Sequence, residues 1–508
     1  MATVKVKHVD LPGSLSQRGL LLCLLLMVLA LTTGCRQGVG HAGAVEQDVR
    51  ELTVLYTNDE HGWMEGMQPG RGAAGLYRLW EEQENYRPDG AFLLLSGGDN
   101  WTGPAISTWV AGQSMVEVMN TMHYDASAVG NHEFDFGLDA LAQRAREADY
   151  PYLSANTRWR DSDEVPVELG ILPFVVTEVN DLKVGIIGLT TISTPRTTNP
   201  KHVAPLRFTD YEQALRTTVP RIRKEAPDLL FVIAHVCMAA LEPLAEKVTD
   251  LHIDLMGGGH CNELTAQQVG ATVLLGGGYH FTAYAKAHFR FDRTAGRILE
   301  AEFATNENTA GNQDPALVSM VAAWQEQFQD TLGEVLAWNE ETIDFRDESF
   351  RQALIDSWLQ WDSSADIAIT NTGGVRSPLP AGQITLNDLV NVMPFENNII
   401  ALDLPGEAVR VALETGGRPL VAGLVQRGDN WILVASGEPL RDRQHYRVLV
   451  NSFMYDGGDN FHILREADPE GFDTGIHYRQ PFVDLLSAMH TSSDDPLTLA
   501  RLSGYAAP

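Results

Sequence analysis

The chain has 508 residues, more than one ordinary hydrophobic core would serve, so an export segment and two domains are expected. Its composition is globular, with 44% hydrophobic and 20% charged residues, and 37 basic against 67 acidic side chains leave a net charge of −30. That balance argues against a nucleic-acid polymer or an anionic membrane surface as partner, and any anionic substrate needs a local positive centre, such as metal ions or a few arginines.

At the N-terminus Lys5, Lys7 and Arg18 precede an apolar run over 20–31. The run is short for a bilayer span, and residues 1–35 are read as a signal segment. It ends in Leu31-Thr32-Thr33-Gly34-Cys35, which resembles a bacterial lipoprotein cleavage box with Thr32 where Leu is usual. The expectation is an exported protein, periplasmic or at the cell surface, with membrane contact only through a lipid anchor at Cys35. Plain secretion and a signal anchor are the alternatives. Beyond Cys35 only Cys237 and Cys261 remain, so no disulfide framework is expected.

Between Glu51 and Asp292 the apolar runs LTVLYT, AFLLLSG, YDASAVG, LKVGIIGLT, DLLFVIAH, IDLMGGG and TVLLGGG alternate with helical patterns. Each ends in polar or Gly-rich sequence, as strands covered on both faces do when their ends carry a site. An α/β or α+β first domain over 50–310 with a sandwiched sheet is expected. Leu317, Met320, Val321, Trp324, Phe328 and Leu332 then recur at steps of three and four, which predicts a linker helix over 313–339. A second, smaller α/β domain over 340–505 follows, with strand-like DIAITN, NNIIALDL and YRVLVNSF.

Five strand ends carry metal-ligand residue types in order: Asp59-Glu60-His61, Gly98-Asp99, Gly130-Asn131-His132-Glu133, Ala234-His235 and Gly259-His260-Cys261-Asn262. A pair of hard divalent ions needs carboxylate, imidazole and carbonyl oxygen donors with one carboxylate able to bridge, and loops after parallel strands converge at one edge of a sheet. Taken singly, each piece is more often a tight turn or a packed histidine than a ligand.

The ordered set resembles the calcineurin-like metallophosphoesterases, and YDASAVGNHEFDFG resembles the signature of the 5'-nucleotidase family among them. LTVLYTNDEHGWM resembles that family's other signature, with Tyr56 where His is usual. The resemblance implies a four-layer catalytic domain and a C-terminal nucleotide-binding domain. It further implies two divalent ions of the Mn, Zn, Co or Mg class: Asp59, His61 and Asn262 on the first, Asn131, His235 and His260 on the second, Asp99 bridging. Family members carry Gln, Asn or His at the position of Asn262, and His280 is its competitor. His132, oriented by Asp135, is implied to face the phosphate. In the second domain the resemblance points to Asn371, Gly373 and Arg376 in a Gly-rich turn, to Phe395 and Phe453 as walls for a nucleobase, and to Asp459 for a ribose. Core packing is the other reading of the two phenylalanines. The family's second Arg should lie near Arg346, where the accompanying LGN element is missing.

The function so implied is metal-dependent hydrolysis of nucleoside 5'-monophosphates to nucleoside and phosphate by a hydroxide held between the ions. Cyclic 2',3'-nucleotides and UDP-sugars are further substrates in view. The alternatives are a non-nucleotide hydrolase of the same superfamily and a catalytically silent nucleotide-binding surface protein. Cys237, two residues after His235, and Cys261, directly after His260, are read as two unrelated buried thiols, with a redox-sensitive pair or a soft-metal trap as alternatives.

Overall fold

The buried, largely apolar run of Leu229–His235 shows why this sequence builds sheets: all seven residues are buried, so both faces of the strand are covered. It lies in a six-stranded sheet whose order is Leu264–Val269, Thr272–Gly277, Leu255–Gly257, Leu229–His235, Leu182–Thr190 and Phe174–Val179. A seven-stranded sheet faces it, with Val49–Thr57, Phe92–Ser96 and Ala126–Ala128 as adjacent parallel strands. The structure is a computed structural model and describes residues 48–309 and 311–504; the signal segment and Cys35 lie outside them.

Val54, Leu93, Leu95, Ile186, Phe231 and Leu255 fill the space between the two sheets. Helices Ala73–Gln83, Gln113–Thr121 and Pro315–Leu332 cover the outer face of the seven-stranded sheet, the first in chain order, through Trp80, Met119, Leu317 and Trp324. Tyr211–Ile222 and Met238–Lys247 cover the outer face of the second through Leu215, Val219 and Leu241. Four layers result, helix, sheet, sheet and helix, as the family resemblance implies; the strand pattern by itself suggests one sandwiched sheet, and there are two.

The linker helix is shorter than 313–339. Asp314 caps it by accepting from the backbone N–H groups of Ala316 and Leu317, and it ends at Leu332. Gly333 follows, and Val335–Asn339 is a strand paired with Gly382–Thr385. The helix is docked on the first sheet's helices, with Trp324 donating to Glu117 at 3.0 Å.

Beyond it, a five-stranded sheet runs Leu420–Ala422, Ile367–Thr370, His445–Asn451, Asn398–Pro405 and Phe472–His477. Glu348–Trp361 and Gln480–Ala488 pack on one face and Gly406–Glu414 and His462–Ala467 on the other. All described residues belong to one compact unit. The two sets of sheets meet through Ala105, Leu332 and Val390, through an Ala105 N–H to Asn391 Oδ1 bond of 2.7 Å, and through an ion pair of Lys201 with Asp456 at 3.0 Å.

Candidate functional site

The ligand-type residues leave two sheets, not one. Asp59, Asp99 and Asn131 follow the parallel strands of the first sheet, while His235 ends a strand of the second and His260 follows its neighbour. Because the sheets are packed face to face, the C-terminal ends of both sets of strands open at the same place. Asp59, His61, Asp99, His260 and Asn262 all take positive φ, between 46° and 74°. Such backbone costs on the order of 1–3 kcal/mol per residue and persists only where its surroundings over-determine it.

Those surroundings are identifiable. Glu133, fully buried, accepts from the backbone N–H of Asp99 at 2.9 Å, of Asn100 at 2.7 Å and of Gly130 at 2.6 Å. Asn58 accepts from the Gly277 N–H at 2.6 Å and donates to Gly278 O at 2.8 Å and to Asp59 Oδ2 at 2.6 Å. A Cβ at Gly130 would lie 2.1 Å from Asp99 Oδ1, so only glycine lets that carboxylate through. Tyr56, in the position where the resemblance expects His, crosses between the sheets and donates to Gly258 O at 2.9 Å, just ahead of the His260 loop. Glu133 and Asn58 lie within the quoted strings, but nothing in their spacing reveals that they turn back onto the ligand loops.

His235, His61 and His132 each have one nitrogen committed to a fixed oxygen and the other turned to the site. His235 Nδ1 meets Gly97 O at 2.9 Å, and its Nε2 lies 2.9 Å from Asp99 Oδ2 and 3.1 Å from His260 Nδ1. His61 Nδ1 meets Thr102 O at 3.1 Å, leaving Nε2 3.9 Å from Asp59 Oδ1. His132 Nδ1 is held by Asp135 Oδ2 at 2.6 Å, and Asp135 Oδ1 in turn accepts from Thr198 Oγ1 at 2.7 Å. His132 Nε2 then points towards Asp99, 4.0 Å away.

The residues fit a pair of divalent ions on two grounds. Asp99 is shared by two clusters, with His61 and His132 and with His235 and His260, in each of which the donor atoms lie within 4.8 Å of one another. Asn131 Oδ1 is buried without a hydrogen-bond partner, although its Nδ2 donates to Thr197 O at 3.2 Å. A carbonyl oxygen left bare in this way is the donor such an ion takes.

Electrostatics follow from crowding. Burial pushes Asp59 up to about 6 against the pull of His235. Asp99 is held well below its ordinary range: burial opposes this, and the charges of His235 and His132 outweigh it. Burial would lower His235 too, but Asp99 raises it to about 9. His260, lowered to about 4 by burial and by His235, is neutral. Burial and then Asp99 push Glu133 up to about 7.

One cleft of about 280 Å³ is lined by His61, Asp99, Asn131, His132, Asp135, His260 and Asn262 and also by Asn371, Gly373, Arg376, Phe395, Phe453 and Asp459. Asp59 and His235 lie beneath its floor, 1% and 0% exposed. The Phe395 ring stacks beside His132, centroids 5.8 Å apart, with the Arg376 guanidinium 5.9 Å from the Phe395 ring centre. Phe453 lies over Gly458, where a Cβ would be 2.4 Å from the ring. Asn371 donates to Asp459 Oδ2 at 3.0 Å and is itself held by Asn451 at 2.9 Å. Thr197, Thr198, Asn199 and His202, which the sequence reading did not single out, complete the wall.

Three expectations are corrected or decided. Arg346 is exposed, with its guanidinium 4.8 Å from the Phe345 ring centre, outside the cleft. His280 packs edge-on to His61 and against Trp63, with Nδ1 3.2 Å from Met67 sulfur. Cys237 and Cys261 are not unrelated buried thiols: they form a disulfide, Cα atoms 5.2 Å apart, with Cys237 half-buried and Cys261 exposed.

Residues 333–466 match the family described as 5'-nucleotidase, C-terminal domain. A 5'-nucleotidase of Vibrio parahaemolyticus is 26% identical over 531 aligned positions, covering 91% of this chain and 93% of its own. Residues 333–466 thus carry that family's C-terminal domain, and nearly the whole chain is similar to 5'-nucleotidases. Among solved structures, a 5'-nucleotidase precursor of Thermus thermophilus superposes with a TM-score of 0.74 at 24% identity, covering 87% of this chain and 97% of that one. The sulfate thiohydrolase SoxB of Thermus thermophilus superposes with 0.69 at 17%, covering 87% and 94%. At those identities both are similar in fold alone.

Proposed function

We propose that the protein hydrolyses nucleoside 5'-monophosphates outside the cytoplasm, with 2',3'-cyclic nucleotides and UDP-sugars as further substrates. The observation that carries this reading is the single cleft in which Asp99, His132 and Asn131 share walls with Arg376, Phe395, Phe453 and Asp459. Its volume, about 280 Å³, is at the small end of ligand sites and suits one nucleotide, not a polymer.

Two divalent ions, held by Asp59, His61 and Asn262 on one side and Asn131, His235 and His260 on the other with Asp99 common to both, would supply an acidified water and offset charge on the phosphoryl oxygens. The chain's own groups do the rest. Asp135 fixes the proton of His132 Nδ1 and leaves Nε2 turned to the cleft. Burial opposes a charge on His132, but Asp135 and Asp99 outweigh it and raise its pKa, so a proton at Nε2 is available to a phosphoryl oxygen or the departing nucleoside. Arg376 offers a planar fork to an oxyanion. Phe395 and Phe453 offer faces to a base, and Asp459, oriented by Asn371, accepts from ribose hydroxyls.

In this reading residues 50–310 carry the chemistry and 340–505 the recognition. The Cys237–Cys261 disulfide supports an oxidising compartment and so an exported protein, with Cys35 as its lipid anchor. The fold likeness to a sulfate thiohydrolase supports a second reading, a non-nucleotide hydrolase; Phe453 and Asp459 in the cleft favour the first. The test is phosphate release from nucleoside mono-, di- and triphosphates, cyclic nucleotides and UDP-sugars, each with and without Mn, Zn, Co and Mg. Release from none of these under any metal would overturn the proposal.

A further inference from the structure

The Cys237–Cys261 disulfide joins the two loops that carry His235 and His260. Cys237 is two residues beyond His235, and Cys261 sits between His260 and Asn262. The two sides differ in rigidity. His235 ends a buried strand, is itself fully buried and is tied to Gly97 O, so its ring has one place to be. His260 and Asn262 both take left-handed backbone, φ 74° and 57°, and flank an exposed Cys261. A non-glycine pair in that conformation relaxes unless something holds it, and the covalent tie sits between the two.

We infer that the Cys237–Cys261 disulfide is a redox-sensitive clasp that sets the affinity of the cation position framed by His235 and His260. The inference rests on the reading of His235, His260 and Asn262 as metal ligands. Opening the bond leaves the Gly259 N–H to Val236 O bond of 3.1 Å and the Met238 N–H to Glu263 Oε2 bond of 2.8 Å, so the loops stay in the fold. What is released is the angle at which His260 meets His235 and Asp99.

The reductant is a dithiol. One of its thiolates attacks the exposed Cys261 sulfur, the Cys237 thiolate departs and takes up a proton, and the second dithiol sulfur then displaces Cys261, which is protonated in turn. Two electrons and two protons pass to the protein, and the dithiol leaves as a cyclic disulfide.

The experiment is a calorimetric titration of Mn²⁺ into chelator-stripped protein in three forms: oxidised, reduced by dithiothreitol and desalted without air, and carrying both Cys237→Ser and Cys261→Ser. The expected result is Kd weakened about tenfold or more for one of two ions in the reduced and doubly substituted forms. Reoxidation should restore the reduced form, and kcat at saturating Mn²⁺ should equal the parent's in all three. Equal Kd in every form would overturn the inference, and so would loss of the far-ultraviolet circular dichroism on reduction, which would make the bond a structural staple. If the oxidised parent binds no Mn²⁺, the ligand reading beneath it falls as well.

Discussion

Glu133 is the residue whose removal tests the architecture of the site most directly, because its carboxylate touches only backbone. Its Oε2 accepts from the Asp99 and Gly130 N–H groups and its Oε1 from Asn100. Glu133→Ala leaves three buried donors without a partner, each costing about 1–3 kcal/mol if nothing replaces it. Water entering the vacated space, and relief of the crowding that pushes Glu133 up to about 7, return part of that. A net loss of about 2–4 kcal/mol in unfolding free energy is expected, within the range of severe single substitutions. Glu133→Gln keeps one acceptor oxygen, enough for Asp99 and Gly130 together, and should lose about 1–2 kcal/mol by leaving Asn100 facing an amide N–H. The functional effect comes through Asp99: a displacement near 1 Å in a positioned group costs about 10²-fold in rate. Glu133→Ala should therefore fall by about that factor in kcat/KM at fixed metal, with less metal retained after desalting, and Glu133→Gln by about tenfold. Denaturant unfolding, metal analysis and phosphate release measure the three effects. An alanine variant that keeps its metal and turns over within a fewfold of the parent would refute the reasoning.

Asp99→Ala removes the carboxylate common to both clusters and should abolish turnover and lower bound metal; a fully loaded, active variant would sink the bridging role. His132→Ala should retain metal yet lose on the order of 10²-fold in kcat, whereas loss of metal with activity would make His132 a ligand. Phe453→Ala should weaken nucleotide kcat/KM by about ten- to a hundredfold, since stacking a base is worth roughly 1–3 kcal/mol, while a small aryl phosphate is nearly unaffected; an equal loss on both would make Phe453 a packing residue. His235 has its pKa raised from 6.5 to about 9 in the metal-free fold. Its stabilising charge is thus fully present below about 6.5 and is lost as pH rises through about 9. A ligand imidazole must be neutral, so Mn²⁺ binding at pH 7 should expel a proton and tighten as pH rises towards 9. Calorimetry in two buffers of different ionisation enthalpy measures this, and zero proton release would contradict it.

The sequence alone determined which atoms are available for chemistry. Carboxylates, imidazoles and an amide stand at strand ends because a strand buried on both faces leaves only its ends for polar groups, and that logic is readable from apolar runs punctuated by Asp59, Asp99, Asn131, His235 and His260. The second block was legible for the same reason, through its apolar strands and the glycines beside Asn371 and Phe453. Tertiary structure decided the rest, because it depends on which distant backbones are brought together. That the ligand ends belong to two facing sheets follows from packing across the Phe231 and Leu255 core, which strand periodicity does not encode. The helix stops at Leu332 because Gly333 is followed by a segment that finds a partner in Gly382–Thr385, a pairing of Val335 with Thr385 and of Asn339 with Gly382 that is too distant in the chain to be visible to a local pattern. Arg346 is turned onto Phe345, away from the cleft, by the loop ahead of Glu348–Trp361. Cys237 and Cys261 could be paired only once their loops were placed, since spacing states how much chain lies between two thiols and the fold alone states how far apart they are.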